Sequence, residues 1–362
     1  MNLFIRTSIA PYRVDLYNAL HERLHMRMCF YYRQGSDHRF DQAILAERLA
    51  FTPTYLGGVR LRQDSRKLCT GLRRLVRDED PDLVIIPEFQ PVLFQLLLIR
   101  LFRRKKFKLV SMCDDSIDMI ERKNDFSRLH RFLRGWAPKL VDDIIVVSPA
   151  VQAWYREHFG KGLLMPIMMD ERKARAYYGE LLPRSTALME EQGLRGRRVL
   201  LFVGRLVALK QVDRLIDVFS SMAGDDVLVI IGDGPERDRL EKLAAASDKD
   251  IRFTGRLEGD ALYAWYNVGQ VLVLPSAQEA FGAVVNEALL AGAHAVVSDH
   301  VGAACLVTAE NGAIVAVDDR DSFREALERQ LAAALPFTGA LRPDLMPIDF
   351  ESTVSQLVRD LA

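Results

Sequence analysis

The sequence predicts an α/β protein of two domains, each a parallel sheet covered by helices. Three observations carry this expectation. The length of 362 residues exceeds one ordinary domain and suits two. Short apolar, strand-like runs alternate with helix-like segments along most of the chain. The alternation weakens over residues 163–198, which are charged and contain Gly179, Pro183 and Gly193, and then resumes. The expected boundaries are 1–165 for the first domain, 166–198 for a hinge or linker, 199–345 for the second domain and 346–362 for a terminal helix able to pack back on the first.

The elements follow in order. Residues 3–5 form the first strand, too short for the apolar core of a signal peptide, and a helix covers Val14–Leu24. A strand at 83–86 precedes a helix over 92–103, and a strand at 108–110 leads into the polar loop 112–116. A strand at 144–147 runs into Ser148-Pro149, an N-cap and first-turn proline, and a helix over 151–158. In the second half, strands at Val199–Val203, Val227–Ile231, 251–253, Val271–Leu274, 295–297 and 313–317 alternate with helices at 212–222, 236–246, 261–266 and 284–291. Residues 350–362 read as an amphipathic terminal helix.

Composition excludes several classes. Apolar residues make up 49% of the chain, too many for a disordered protein. The four cysteines (Cys29, Cys69, Cys113 and Cys305) have no metal-ligand or disulfide spacing, which fits a reducing, cytoplasmic setting. For Cys29, Cys69 and Cys305 buried or inert thiols are the better reading. The seven histidines form no ligand pattern, so no metal is expected. No P-loop, H-E-x-x-H or G-x-S-x-G occurs, and no nucleic-acid partner is expected. The longest apolar run, residues 91–102, is broken by Gln95 and Arg100 and is too short to span a membrane.

The net charge of zero hides an asymmetry. Residues 1–170 hold 28 Lys and Arg against 20 Asp and Glu, and the remainder holds 21 against 29. The basic half includes the dense cluster of residues 100–108, directly after the apolar run. Such a helix with a basic end can lie on an anionic membrane surface, or it can be a core helix whose cationic end complements the helix dipole.

Five constellations carry chemistry. Glu279 and Glu287 stand eight positions apart, one in the loop after the strand Val271–Leu274 and one inside the next helix. Phe281-Gly282 falls at that helix start, where free backbone N–H groups favour an anion or sugar oxygens. Gly204-Arg205, with Lys210 downstream, follows the strand Val199–Val203 and sets two cations where parallel sheets bind ligands. Gly232-Asp233-Gly234 ends another strand; its glycines would let a backbone approach a nucleotide, or simply turn the chain. Pro11-Tyr12-Arg13 stands where a dinucleotide loop would need glycine, with Arg13 facing the crevice or solvated. Asp114-Asp115 could act as a base or orient an acceptor hydroxyl, or could cap a helix.

In this order these residues resemble the retaining glycosyltransferases of family four. The match runs Gly204-Arg205…Lys210, Ile231-Gly-Asp-Gly-Pro235, Phe253-Thr-Gly255, Pro275-Ser276, Glu279 and Glu287, Gly292 and Ser298-Asp299. Residues 10–14 are similar to the opening of a subgroup of that family. The resemblance implies a GT-B fold, two Rossmann-like domains facing across a cleft. It implies transfer of a hexose from a UDP- or GDP-linked sugar, as substrate and without a cofactor, to a glycan or lipid-linked acceptor. Bacterial surface polysaccharide synthesis is the setting implied; the basic first half and residues 91–108 suggest peripheral contact with the inner face of the cell membrane. Arg205 and Lys210 would neutralise the leaving diphosphate in place of a metal ion. Glu279, with the N–H groups of Phe281 and Gly282, would hold the donor sugar, and Glu287 the ribose.

Three departures lie on the acceptor or hinge side. Cys113-Asp114 replaces the family's His-Asp, leaving Asp114 or Asp115 to substitute for the histidine. Pro166-Ile-Met-Met-Asp170 replaces Pro-Asn-Gly-x-Asp, and Ala10-Pro11 replaces a glycine-rich loop. Two other functions stay open: a GT-B nucleotide-sugar epimerase and a non-catalytic nucleotide-sugar-binding protein.

Overall fold

The computed structural model describes residues 1–32, 42–60, 67–88, 90–121 and 135–362. The chain forms two compact units, Met1–Met168 with Glu351–Ala362, and Met169–Phe350.

The first unit is built on a parallel sheet of seven strands. These are β1 (Asn2–Arg6), β2 (Met26–Phe30), β3 (Thr54–Tyr55), β6 (Leu83–Pro87), β7 (Lys108–Cys113), β8 (Asp143–Val146) and β9 (Leu163–Leu164); β4 (Gly58–Arg60) and β5 (Lys67–Cys69) pair separately as an antiparallel hairpin. The sheet order is β3-β2-β1-β6-β7-β8-β9, with Leu3 opposite Val84. Strands buried on both faces need near-continuous apolar runs, and Leu3, Phe4, Ile5, Val84, Ile85 and Ile86 are fully buried. Helix α1 (Val14–Leu24) buries Val14, Leu16, Tyr17 and Leu20 and stops at His25, whose φ of 47° is left-handed. Helices α2 (Gln42–Glu47), α3 (Leu72–Glu79), α4 (Pro91–Leu101), α5 (Ile117–Glu121) and α6 (Pro149–Phe159) follow. Ser148 sits at the N-cap of α6 with extended backbone, but its hydroxyl makes no capping bond.

In the second unit, α7 (Glu171–Glu180) and α8 (Leu182–Glu191) occupy the segment expected to be an irregular hinge. Asp170 caps α7 through the N–H groups of Arg172 (3.0 Å) and Lys173 (3.3 Å). Their buried positions include a small or polar residue in each helix, Ala174 with Tyr178 and Ser185 with Met189. An apolar stripe that thin leaves no 3.6-residue signal in the sequence. Six parallel strands follow: β10 (Val199–Val203), β11 (Val227–Ile231), β12 (Asp250–Gly255), β13 (Val271–Leu274), β14 (His294–Ser298) and β15 (Gly312–Val315). They are covered by α9 (Val212–Ser220), α10 (Arg237–Ala245), α11 (Gly259–Val268), α12 (Ala283–Leu290) and α13 (Arg320–Ala333). Helix α13 is absent from the sequence reading, although Asp319 caps it through the Ser322 N–H at 3.1 Å.

The sheet order is β12-β11-β10-β13-β14-β15. Chain order therefore reverses between β10 and β13, and the loops leaving those two strands diverge. That reversal is where doubly wound sheets place ligands.

Helix α14 (Phe350–Leu361) belongs mainly to the first unit and buries Val354, Leu357 and Leu361. Lys108 Nζ donates to the carbonyls of Asp360 (3.0 Å) and Leu361 (3.2 Å), a cation at the end of a helix dipole. Arg23 Nη1 donates to Ser355 Oγ at 2.9 Å and pairs through Nη2 with Glu351. Among the described residues no helix is long and apolar enough to cross a membrane.

Candidate functional site

The reversal in the second sheet brings together residues that are far apart in the chain. The loop after β10 carries Gly204, Arg205 and Lys210; the loop after β13 carries Glu279 and leads into α12. The Ala277 N–H donates to the Leu209 carbonyl at 2.8 Å and ties the two loops. Lys210 Nζ then closes an ion pair with the Glu279 carboxylate, and both side chains are largely buried. Burial strips water from the ammonium and lowers the Lys210 pKa to about 8. Arg205 is exposed, and its guanidinium makes no hydrogen bond or ion pair among the described residues.

Phe281 is buried and anchors the turn, and its carbonyl accepts from the Ala303 N–H at 2.7 Å. Gly282 is the N-cap of α12, with φ of 94° and no side-chain cap. A Cβ there would stand 2.8 Å from the Leu274 side chain, in a backbone region that L-residues rarely adopt. The N–H groups of Phe281, Gly282, Ala283 and Val284 donate to no described group. Helix dipole and unpaired donors together favour an anion or sugar oxygens beside Glu279.

Glu287 lies on α12, and its carboxylate is held by phenols from α11. Tyr266 Oη donates to Oε2 at 2.7 Å, and Tyr263 Oη to Oε1 at 3.4 Å. Tyr178 Oη, from α7, donates to the Glu287 carbonyl at 2.8 Å. Burial, with the adjacent Glu287 carboxylate next, pushes the Tyr266 phenol well above its ordinary pKa, so it stays a donor. These tyrosines were missed in the sequence. Their signal is an aromatic pair one turn apart, which reads as core packing.

Gly232 and Gly234 serve a different close approach from the one expected. A Cβ on Gly232 would lie 1.8 Å from the Gly204 carbonyl oxygen, and one on Gly234 would lie 2.2 Å from that of Leu206. The Gly204 N–H donates to Ile231 O, and the Leu206 N–H to Asp233 O, both at 3.0 Å. The two glycines let these loops cross at backbone distance and so hold Arg205 and Lys210 at the strand ends. Gly204 is less constrained, since its nearest neighbour would be Phe202 Cζ at 3.3 Å.

In the first unit, Pro11, Tyr12 and Arg13 form a single 3-10 turn leading into α1. Arg13 is neither solvated nor open to a crevice: it is 1% exposed and pairs with Asp114 Oδ1 at 2.5 Å. Arg6 takes the other oxygen of Asp114 at 2.9 Å. Burial pushes the Asp114 carboxyl up, but Arg13 and Arg6 outweigh it and hold the group below its ordinary pKa. A doubly clamped carboxylate is a poor base, so the geometry works against that reading of Asp114. Asp115 is buried and accepts from Tyr155 Oη at 3.4 Å. Burial likewise raises Tyr12, and it raises the Cys113 thiol well above its ordinary value. Cys29 and Cys69 are buried, whereas Cys305 is exposed. Among the described residues no group of three or more His, Cys, Asp and Glu could hold a metal.

Known proteins share this fold. Residues 197–333 match the family model described as "Glycosyl transferases group 1", and residues 11–162 match that described as "Glycosyltransferase Family 4". A GDP-mannose-dependent alpha-mannosyltransferase of Mycolicibacterium smegmatis is 38% identical over 125 residues, 34% of this chain and 32% of that protein. The chain spans about a third of the length of the curated relatives it matches. The structure of Anabaena HepE in complex with UDP superposes with a TM-score of 0.70 at 18% identity, covering 99% of both chains. The apo structure of WaaB, a lipopolysaccharide outer core galactosyltransferase, gives a TM-score of 0.65 at 16% identity, covering 99% of this chain and 95% of that one. Two family models that together match most of the chain place it among the group 1, family 4 glycosyltransferases, and the fold it shares with these neighbours is the GT-B fold.

Proposed function

We propose that the protein is a retaining glycosyltransferase that moves a hexose from a nucleotide-diphosphate sugar to a hydroxyl of a glycan or lipid-linked acceptor. The observation that carries this reading is the Lys210–Glu279 pair at the sheet reversal, beside the uncapped start of α12. The named activities of the mannosyltransferase relative and the UDP held by HepE support a nucleotide-sugar donor. WaaB, by its name, supports a surface polysaccharide as the acceptor class.

In this reading each group has one task. Lys210 and Arg205 stabilise the diphosphate as its negative charge grows, the electrostatic work that a divalent ion can do elsewhere. Glu279 and the N–H groups of α12 hold the sugar hydroxyls, since a carboxylate accepts and hydroxyls donate. Glu287, oriented by Tyr266 and Tyr263, takes the ribose hydroxyls. The bond from the anomeric carbon to the phosphate oxygen breaks, and a bond to the acceptor oxygen forms on the same face. The acceptor proton passes to the departing phosphate, so charge and atoms balance without a side-chain base.

The test is a screen of UDP- and GDP-sugars for thermal stabilisation, followed by assay of the stabilising donor with candidate acceptors. A ligand at a hundred times its Kd stabilises the fold by about 2.7 kcal/mol, enough to read as a shift in melting temperature. The expected product carries the donor's anomeric configuration, visible by NMR. Release of an epimerised nucleotide-sugar without acceptor would instead identify an epimerase, and binding without turnover a non-catalytic protein.

A further inference from the structure

The chain passes between its two units twice, after Met168 and after Phe350. Both crossings are tied to α12, the helix that carries Glu287, and Asn286 makes the tie. Asn286 is 2% exposed and stands directly before Glu287. Its Oδ1 accepts the Met169 N–H at 2.9 Å. Its Nδ2 donates toward Met346 Sδ, 3.2 Å away and shortly before Phe350. One end of a buried amide thus serves each crossing.

Other contacts strengthen this junction. Glu171 Oε2 accepts the Phe350 N–H at 3.0 Å and joins the two crossings directly. The Leu345 N–H donates to Leu289 O at 3.1 Å, and Arg175 Nη1 to Leu290 O at 2.8 Å. These carbonyls end α12, where a helix leaves its last acceptors without intrahelical partners. Tyr263 Oη, which meets Glu287 Oε1 at 3.4 Å, also reaches Met169 Sδ at 3.9 Å. Consecutive residues leave a helix about 100° apart, so a rotation of α12 that moves Asn286 moves Glu287 with it. Stability alone requires only that a buried amide find partners. The partners of Asn286 are the two segments that lead to the first unit.

We propose that Asn286 is a positioning residue for transfer: by holding both crossings on α12, it fixes them relative to the helix whose Glu287 and N-terminus hold the donor. The inference rests on the donor-site reading of α12. Loss of the tie should leave the nucleotide bound and slow the reaction with an acceptor, because misplacing reactants by about an ångström costs on the order of a hundredfold in rate.

The experiment compares Asn286→Ala, Asn286→Asp, Glu171→Ala and Glu171→Gln with wild type, each as the whole protein. Binding of UDP or GDP, whichever stabilises the wild type, is measured by calorimetry. Sugar transfer and donor hydrolysis are measured at saturating donor. Asn286→Ala and Glu171→Ala should each bind the nucleotide within about threefold of wild type and lose about tenfold or more in transfer kcat, with a smaller loss in hydrolysis. Asn286→Asp keeps an oxygen for the Met169 N–H, and Glu171→Gln keeps one for the Phe350 N–H, so both should recover part of the transfer rate. Glu171 is half-buried and touches no group assigned to the donor, so Glu171→Ala should stay folded even where Asn286→Ala has a lowered melting temperature. A fall in nucleotide affinity that matches the fall in rate would make Asn286 a support of the ribose site alone and overturn the proposal. So would full transfer by both alanine variants, a loss in Asn286→Ala that Glu171→Ala does not share, or no recovery in the two conservative variants. A wild type that binds nucleotide and transfers to no acceptor would defeat the functional reading itself, and this inference with it.

Discussion

Lys210 and Glu279 lie 69 residues apart in the chain and close an ion pair at the carboxyl ends of adjacent strands. Each is the other's partner in the unliganded protein, and each is assigned to a different part of the donor. A bound diphosphate therefore competes with Glu279 for the Lys210 ammonium and frees the carboxylate for sugar hydroxyls. Removing either group leaves the other buried without its partner, so effects at the two positions should not add. Lys210→Ala and Glu279→Ala should each lower kcat/KM by about a hundredfold or more. The double variant should be little worse than either single one, as initial rates with the preferred donor will show.

The pKa of Lys210 sets the direction of the pH profile. Burial lowers it to about 8, so in the free enzyme the ammonium is present below that pH and lost above it. The alkaline limb of kcat/KM should fall through about 8, because that quantity reports the free enzyme. A diphosphate beside Lys210 favours the charged form, so the corresponding limb of kcat should lie at higher pH. Lys210→Arg, which cannot lose its proton in this range, should remove the limb from whatever activity remains.

Tyr266 fixes the orientation of Glu287 at 2.7 Å. Tyr266→Phe keeps the ring and removes only the donor. It should raise the donor KM several-fold with little change in kcat, while Glu287→Ala should do the same more strongly. Steady-state kinetics with the donor varied separates these outcomes from a general loss of folding, which would lower the active fraction and leave KM unchanged.

Gly232 and Gly234 should be sensitive through the fold and not through ligand contact. An alanine at either position drives a Cβ into the backbone of the Gly204–Leu206 loop. The melting temperature in the absence of any nucleotide should fall by several degrees or more, corresponding to roughly 3 kcal/mol or above. Gly204→Ala, which meets only the edge of a phenylalanine ring, should cost less.

The clamp on Asp114 yields a prediction for the first unit. Asp114→Asn leaves the buried Arg13 guanidinium uncompensated and should destabilise the protein by about 3–5 kcal/mol. If Asp114 is structural and not a base, the folded variant keeps kcat within about tenfold of wild type at a temperature where it is fully folded. Because the folded-state pKa lies below the unfolded one, this group's contribution is present above the ordinary carboxylate pKa and is lost as pH falls through the folded value. Acid unfolding followed by circular dichroism should show a smaller acid-induced loss of stability in Asp114→Asn than in wild type.

Much of the second unit was legible because β10, β11, β13 and β14 are buried along their whole length. Val199–Val203, Val227–Ile231 and Val271–Leu274 are unbroken apolar runs, and each appears in the structure with the bounds that the sequence suggests. Helices α7 and α8 were not legible, since small and polar residues stand among their buried positions. Of the site, sequence order could offer Lys210 and Glu279 as candidates, but only the sheet order makes them neighbours. The roles of Tyr263 and Tyr266 depend on which way α11 faces α12, which no local pattern specifies. For Gly232 and Gly234 the sequence leaves open a nucleotide contact or a simple turn, because a glycine signals a close approach without saying what approaches.

The most direct test of the donor-site assignment is the initial rate of sugar transfer and of donor hydrolysis by Lys210→Ala and Glu279→Ala, measured with the nucleotide-sugar that most stabilises the wild type. Both variants should remain folded, and each should lose about a hundredfold or more in both reactions. Full transfer and hydrolysis by both variants would contradict it.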